Sequence, residues 1–187
     1  MCGIIISKMN YFDRARYFRT KKRLGQNFLV DGEVIQDIID FAKITPEDTV
    51  VEIGPGVGFV TEQLVKHAKK VIAIELDEEA IAELKKLDAP NLEIIHNDVL
   101  KTDLSTLTDE KFKVVANIPY YITSPIIAHL LGEIDDLTNK NRCQIKDIIL
   151  MVQEEVARRM VATPDSPSKQ YGLLTILSQF WADVKIL

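Results

Sequence analysis

Cysteine is scarce in this sequence, since Cys2 and Cys143 are the only two among 187 residues. Two cysteines in a chain of this size do not form a disulfide scaffold, so we expect reduced thiols and the cytoplasm. The three histidines, His67, His96 and His129, lie far apart and share no ligand spacing with the cysteines. We therefore predict no metal site.

Long apolar runs are also missing. The opening run at residues 2–6 is apolar, but Lys8 ends it too early for the core of a signal peptide. No run approaches the length that crosses a bilayer, so no membrane partner is predicted. Hydrophobic residues make up 47% of the chain and charged residues 27%. These are ordinary values for a globular protein with one well-buried core.

Acidic residues outnumber basic residues over most of the chain, but basic residues are concentrated near its start. Residues 1–30 hold seven basic residues against Asp13 alone, a net charge of +6, whereas the remainder carries −11. This asymmetry suggests a basic N-terminal arm at 1–30 that can bind nucleic-acid phosphate. A solvated terminal tail explains the charge equally well, but interleaved aromatic residues, whose faces can stack on bases, favour the arm. The candidate phosphate contacts are Arg19, Lys21, Lys22 and Arg23.

From residue 31 onward, helical and strand patterns alternate. Asp31 can cap a helix whose apolar positions recur at helical spacing as far as Ala42. Apolar, β-branched runs predict five strands, at Thr49–Ile53, Val71–Leu76, Leu92–His96, Phe112–Ile118 and Ile148–Val152. Further helices are predicted at Phe59–His67, Glu78–Leu87, Ser124–Gly132, Glu154–Ala162 and Tyr171–Ala182, and residues 183–187 predict the beginning of another strand. Alternation of this kind indicates an α/β fold with a doubly wound, mostly parallel sheet over residues 31–187.

A glycine-rich loop follows the first predicted strand. It runs from Glu52 to Gly58 with the spacing Gly-x-Gly-x-Gly, and Gly54 and Gly56 allow the backbone to turn sharply beside a ligand. Glu75 ends the second strand 21 residues after Gly54, where its carboxylate can accept hydrogen bonds from ribose hydroxyls. Asp98 ends the third strand, where it can accept a bond from an adenine amine. Because these strand ends meet at one crevice, they predict an adenosine-bearing cofactor without deciding which.

The fourth predicted strand ends in Asn117-Ile118-Pro119-Tyr120. An adenine amine is a poor nucleophile because its lone pair is delocalised into the ring. The Asn117 oxygen and a carbonyl held in place by Pro119 can accept hydrogen bonds from that amine and stabilise the positive charge that grows during attack. Tyr120 offers a face for a base extruded from its stack. An ordinary strand-ending turn is the alternative, but the position after Asp98 favours adenine chemistry.

These motifs, in this order, resemble the ribosomal-RNA adenine dimethyltransferase family from about Lys21 to the C-terminus. The resemblance implies a Rossmann-like methyltransferase fold and S-adenosyl-L-methionine as the cofactor. It also implies N6-dimethylation of adenosine in small-subunit ribosomal RNA, by direct methyl transfer to a flipped-out adenine. The segments that carry it are Gly25–Leu29, Glu52–Gly58, Ile74–Asp77, Asn97-Asp98, Asn117–Tyr120, Val152–Arg159 and Tyr171–Leu174.

The resemblance further implies roles for single residues. Glu75 would hold the ribose, Asp98 would meet the cofactor adenine, and Asn117 would lie between the methyl donor and the target amine. Pro119 and Tyr120 would complete the catalytic site. The full cofactor set implied in this way is Asn27, Leu29, Gly54, Gly56, Glu75, Asp98 and Asn117.

One departure from the family and three alternative functions remain. Members normally continue into a further strand and a small helical domain that helps to grip RNA, so we expect a catalytic domain truncated before both. Such a chain would be a monomer when complete and could self-associate through its exposed terminal strand.

Three functions are alternatives to small-subunit RNA methylation. They are a large-subunit RNA methylase of the antibiotic-resistance group, a non-catalytic ribosome-assembly relative, and a nicotinamide dehydrogenase. The glycine spacing disfavours the dehydrogenase.

Overall fold

A five-stranded parallel sheet forms the centre of the protein. The computed structural model describes residues 29–118, 122–167 and 170–187. The strands lie in the order β3-β2-β1-β4-β5, and every neighbouring pair is parallel. All five carboxyl ends therefore lie at one edge of the sheet, where open α/β sheets bind ligands. The strands are β1 Thr49–Ile53, β2 Lys70–Glu75, β3 Leu92–His96, β4 Phe112–Asn117 and β5 Ile145–Met151.

Helices connect the strands and cover both faces of the sheet. Short 3₁₀ helices at Lys85–Leu87, Val99–Lys101 and Leu104–Thr106 supplement them. The α-helices are α1 Gly32–Ala42, α2 Thr61–His67, α3 Glu78–Leu84, α4 Thr123–Leu131, α5 Lys140–Gln144, α6 Glu154–Met160 and α7 Leu173–Trp181. Helix α1 begins as predicted at Asp31, whose Oδ1 accepts hydrogen bonds from the N–H groups of Glu33 and Val34 at 2.9 and 3.4 Å. It ends at Lys43, which takes a left-handed conformation.

The two faces of the sheet bury different apolar clusters, because alternate residues of each strand point to opposite faces. On one face, Val51 of β1 packs with Ile126 of α4 and Leu174 of α7. On the other face, Val50 packs with Ile39 of α1 and Leu64 of α2. This second face also carries the polar residues described below, because Glu52 of β1 lies on the same face as Val50.

A buried ion pair stabilises the opposite edge of the sheet, away from the carboxyl ends. Lys113 is 4% exposed, and its Nζ donates to the carbonyls of Ala42 and Lys43 at 2.9 and 2.8 Å. The same Nζ lies 3.0 Å from Asp48 Oδ2. Burial acts to raise the pKa of Asp48, but hydrogen bonds from Lys113 and Thr45 outweigh it and lower the pKa from 3.8 to about 2. The pair thus connects the end of α1 to β4.

The predicted architecture is confirmed, with shifts at element boundaries. All five predicted strands and the predicted helices are present within a few residues of their expected bounds. Helix α5 was not predicted. Strand β5 begins three residues earlier than predicted, because a register shift beside Phe112 accommodates Lys146 as an extra residue.

The prediction of a strand beginning at residues 183–187 is wrong. These residues are irregular, and their backbone makes no hydrogen bond with any strand among the described residues. Asp183 and Lys185 instead form an exposed ion pair at 2.7 Å. A strand requires a neighbour to satisfy its backbone groups, and none of the described residues provides one here. The exposed terminal strand expected to mediate self-association is therefore not formed.

No helix in the described parts of the chain is long and apolar enough to cross a membrane.

Candidate active site

The candidate site lies where β1, β2, β3 and β4 end. Backbone hydrogen bonds hold these ends together beyond the strands: the Gly54 N–H donates to the Ile74 carbonyl at 3.0 Å, and the Asn97 N–H donates to the Glu75 carbonyl at 3.1 Å. The structure thus brings Gly54, Glu75, Asp98 and Asn117 to one edge of the sheet, as the sequence predicted. What each residue can bind follows from its own contacts.

The glycine loop leaves its backbone open to a ligand. Gly54 has a φ of +64° and is exposed, and a Cβ atom at this position would find no atom within 4 Å. Gly56 has a φ of +57° and is buried. Both conformations disfavour residues with a side chain, and the open space at Gly54 lets a ligand lie directly against the main chain.

Glu75 is the most constrained polar residue of the site. It is 7% exposed, and its Oε2 accepts a hydrogen bond from the Gly56 N–H at 2.9 Å. Its Oε1 accepts from the N–H groups of Leu76 and Asp77 at 2.7 and 2.9 Å. Three fixed donors hold the carboxylate in one orientation; they occupy both acceptor sites of Oε1 and leave one on Oε2 for a ligand hydroxyl. The side chain can therefore bind a ribose without rearranging.

Asp98 begins the 3₁₀ helix after β3. Its Oδ1 accepts a hydrogen bond from the Leu100 N–H at 3.0 Å, while Lys101 Nζ lies 4.0 Å from Oδ2. The exposed apolar side chain of Leu76 follows Glu75 at the neighbouring strand end. A fixed carboxylate and an apolar surface suit the polar edge and the flat face of a nucleobase.

Asn117 is the last residue of β4 and is half-buried. The N–H of the following residue, Ile118, donates to the Met151 carbonyl at 3.2 Å, which continues the pairing with β5 beyond the strand. Asn117 therefore lies on backbone fixed from the β5 side, a firm position for a group that must be held against a reacting amine.

Several predicted site residues lie outside the described part of the chain. These are Asn27, Pro119 and Tyr120, together with the candidate phosphate contacts Arg19, Lys21, Lys22 and Arg23. Leu29 is described: it is half-buried and packs against the apolar cluster between the sheet and helices α1 and α2.

Glu52 is a polar residue of this region to which the sequence assigned no separate role. It lies in β1, is 3% exposed, and its Oε2 has no hydrogen-bond partner among the described residues. Burial raises the pKa of Glu52 from 4.5 to about 8, and the negative charge of Glu75 acts in the same direction. The sequence did contain a signal, since Glu52 is the one ionisable residue in the otherwise uncharged strand Thr49–Ile53.

The residues of the crevice fit an adenosine-bearing cofactor. The open backbone at Gly54, the oriented carboxylate of Glu75 and the uncommitted buried oxygen of Glu52 all lie on β1, β2 or the loop between β1 and α2. A cofactor with hydroxyl donors and a positive charge would match the free acceptor site of Glu75 and the Glu52 oxygen that has no partner among the described residues.

The parallel sheet, its strand order and the helices on both faces define an α/β protein of the Rossmann-like class. Residues 17–187 match the sequence model of a family described as ribosomal RNA adenine dimethylase. The chain belongs to this family.

Curated relatives carry the name ribosomal RNA small subunit methyltransferase A. The protein of this name from Clostridium botulinum (strain Langeland) is 46% identical over 176 residues, which cover 91% of this chain and 60% of the relative. The one from Clostridium perfringens (strain SM101) is 48% identical and covers 91% and 58%. The chain thus spans about three fifths of the length of the curated relatives it matches.

Two solved structures resemble the chain. A dimethyladenosine transferase from Plasmodium falciparum is 37% identical, with a TM-score of 0.67, and the match covers 82% of this chain and 52% of that one. The 23S rRNA methyltransferase ErmE is 32% identical, with a TM-score of 0.61 and coverage of 71% and 50%. These likenesses confirm the predicted fold class.

Proposed function

We propose that this protein methylates the exocyclic amine of adenosine in small-subunit ribosomal RNA, with S-adenosyl-L-methionine as methyl donor. The observation that carries the proposal is the family match over residues 17–187, within which Gly54, Glu75, Asp98 and Asn117 meet at one sheet edge. By chemical type, these residues are what an adenosine cofactor and an adenine target require.

Cofactor binding is assigned to the strand ends. Glu75 would accept a hydrogen bond from the ribose hydroxyls, because its three backbone donors leave one acceptor site, on Oε2, in a fixed direction. Asp98 would accept a bond from the cofactor adenine, and Gly54 and Gly56 would allow close approach of the main chain. Asn27 and Leu29 would border the methionine part. The cofactor supplies an electrophilic methyl group on a sulfonium.

The target amine is assigned to Asn117, Pro119 and Tyr120. The Asn117 side-chain oxygen would accept a hydrogen bond from the amine and favour the positive charge that develops on nitrogen during attack. Pro119 would hold a neighbouring carbonyl in place, and Tyr120 would stack on the flipped base. No general base is required before attack, because the amine proton can leave after the methyl group has transferred.

RNA binding is assigned to residues 1–30, with Arg19, Lys21, Lys22 and Arg23 on phosphates, and catalysis to residues 31–187. The cytoplasm, where ribosomal subunits mature, would be the place of action, and we propose a monomer as the working form. The higher identity to small-subunit enzymes, 46–48% against 32% for ErmE, favours small-subunit RNA over large-subunit RNA.

The test is incubation of the protein with methyl-labelled cofactor and unmethylated ribosomal subunits of each size, followed by mapping of the label. Label on the N6 atom of adenosine in small-subunit RNA is the expected result. Label on large-subunit RNA would instead indicate a methylase of the antibiotic-resistance group. Cofactor binding without transfer to either RNA would identify a non-catalytic relative.

A further inference from the structure

Glu52 and Glu75 face the same crevice but have opposite environments. Glu75 receives three backbone N–H donors, which stabilise its anionic form. Glu52 Oε2 receives none among the described residues and is buried. Burial of the Glu52 carboxyl group, with no partner for this oxygen, favours its protonated form.

The surroundings of Glu52 explain why it has no compensating partner. Its register neighbours in the sheet are Ala73 of β2 and Val115 of β4, both apolar. Thr61, at the start of α2, is 0% exposed, and its Oγ1 also lacks a hydrogen-bond partner among the described residues. The Thr61 hydroxyl opposes the rise of the Glu52 pKa, but without hydrogen-bond geometry it does not offset burial.

Among residues 29–118, 122–167 and 170–187, the charged groups near Glu52 give it no cation. On the same face of β2 lies Glu75, whose negative charge disfavours a second anion. On the same face of β4 lies Lys113, which is committed to Asp48 at the opposite edge of the sheet. The face of α1 toward this cluster is apolar, and Lys66 and His67 of α2 are exposed. A cationic ligand would supply the partner that these residues do not.

The two forms of the proposed cofactor differ in the charge that Glu52 would meet. S-adenosylmethionine carries a sulfonium in addition to its ammonium and carboxylate groups, so its net charge is positive. S-adenosylhomocysteine, the product left after methyl transfer, has a neutral thioether and no net charge. Both forms share the ammonium group, so a buried acid beside the glycine loop gains more Coulombic energy on ionising when the additional sulfonium charge is present.

We propose that Glu52 selects S-adenosylmethionine over S-adenosylhomocysteine, by holding a proton until the cationic cofactor binds and then releasing that proton to solvent. This inference rests on the proposed function. Binding of the cofactor moves one proton from the Glu52 carboxyl group to buffer, and the positive ligand replaces it as the partner of the carboxylate. After the sulfonium charge is lost, Glu52 takes a proton back from solvent, and the additional affinity that the sulfonium gave is lost, which favours release of the spent cofactor.

The sign of the pH dependence follows from linkage. Because binding releases a proton, affinity for S-adenosylmethionine rises with pH and levels off above the Glu52 pKa of about 8. The affinity for S-adenosylhomocysteine should rise less steeply over the same range. The ratio of the two affinities should rise about tenfold for each unit by which the sulfonium lowers the Glu52 pKa further than the spent cofactor does.

The test is calorimetry on the full chain at pH 7, in two buffers with different ionisation enthalpies. Binding of S-adenosylmethionine should release a large fraction of one proton, whereas binding of S-adenosylhomocysteine, which lacks the sulfonium, should release a smaller fraction. Glu52→Gln, which keeps the shape of the side chain, should abolish the release and make the affinity ratio independent of pH. Glu93→Gln, which removes an exposed carboxylate paired with Lys70 at 2.7 Å, should preserve both.

A stability measurement tests the same inference even if Glu52→Gln binds the cofactor poorly. A group whose pKa is raised on folding destabilises the protein as pH rises from its unfolded value toward its folded value. Glu52→Gln should therefore lose the decline in unfolding free energy between pH 5 and pH 8 that the parent shows. Equal proton release with both ligands, or none with either, overturns the inference. Failure of S-adenosylmethionine to bind at all overturns the proposed function instead.

Discussion

At the scale of single residues, the proposed function divides cofactor binding and methyl transfer between different residues of the crevice. Glu75 belongs to the frame of the fold, since its carboxylate accepts hydrogen bonds from the N–H groups of Gly56, Leu76 and Asp77. Asn117 ends its strand at the position where a target base would arrive. Substitutions at the two residues should therefore affect different steps.

Glu75→Gln should weaken binding of S-adenosylmethionine, because the amide loses one acceptor oxygen and its charge. The expected loss is about 1.5–3 kcal/mol, the usual range for hydrogen bonds to a charged group. Titration calorimetry gives this value directly, with Glu93→Gln as the matched exposed control. Unchanged affinity would indicate that the glycine loop has only a structural role. Preferential binding of NAD by the parent protein would indicate a dehydrogenase.

Asn117→Ala should affect methyl transfer far more than cofactor binding. Loss of one group that acts on developing charge costs roughly 10²–10³ in rate, while affinity for S-adenosylmethionine should remain within a few-fold. Single-turnover rates on unmethylated subunits, beside calorimetry on the same preparation, separate the two effects. A variant with near-normal turnover would remove Asn117 from the catalytic site.

At the scale of elements, the ion pair at the far edge of the sheet holds α1 against β4. Asp48 accepts from Lys113, from Lys146 and from Thr45, and it stays ionised because these donors overcome its burial. A carboxyl group with a lowered pKa stabilises the folded state above its unfolded pKa. That contribution fades as pH falls toward its folded value.

Asp48→Asn should lower the free energy of unfolding at pH 7 by about 1.5–3 kcal/mol, because Lys113 loses its anionic partner while it stays buried. The difference from the parent should shrink as pH falls from about 4 toward 2, where the parent carboxylate also becomes neutral. Urea unfolding across this pH range measures both effects. Glu110→Gln, at an exposed ion pair with Lys69, is the control and should leave the unfolding curve unchanged. A deficit that is constant with pH would show that the charge of Asp48 is not what matters.

The elements that the sequence failed to predict share a physical cause. Helix α5, Lys140–Gln144, has no apolar periodicity. It is held by contacts from distant parts of the chain: Asn141 donates to the His129 carbonyl, and the Arg142 guanidinium lies 3.4 Å above the Trp181 ring. The strands were predictable because each carries its own β-branched, apolar pattern, as Thr49–Ile53 does. A local pattern cannot reveal a helix that depends on tertiary partners.

The residues of the candidate site also differ in whether the sequence alone could predict them. Residues that end strands, such as Glu75 and Asp98, could be located from the spacing of strands and glycines alone. The absence of a partner for Glu52 could not, because it depends on Ala73 and Val115 lying on either side of it in the sheet. Burial, and the pKa that follows from it, is a property of the folded chain.

At the scale of the whole molecule, charge is distributed unevenly. Residues 1–30 carry +6 and the remainder −11. An acidic body repels phosphate, so in the proposed function attraction to RNA would come from a local basic segment, and the body would contribute shape and chemistry. Removal of positive charge from residues 1–30 should therefore weaken RNA binding more than removal of the same charge from the rest of the chain.

Neutralising Arg19, Lys21, Lys22 and Arg23 together to Gln should weaken RNA binding and flatten its dependence on salt. Each phosphate contact that is lost lowers the slope of log affinity against log salt by about 0.7 for single-stranded RNA and about 0.9 for duplex. The matched control removes the same number of charges from the exposed lysines of the body, Lys66, Lys69, Lys85 and Lys86. Both variants have the same net charge, so a general electrostatic effect would change them equally, whereas a local binding segment would change only the first. Filter binding on ribosomal RNA over a range of potassium concentrations gives the two slopes. If the first variant keeps the parent's slope, or if both variants fall together, the basic segment is a solvated tail and the RNA contacts lie elsewhere.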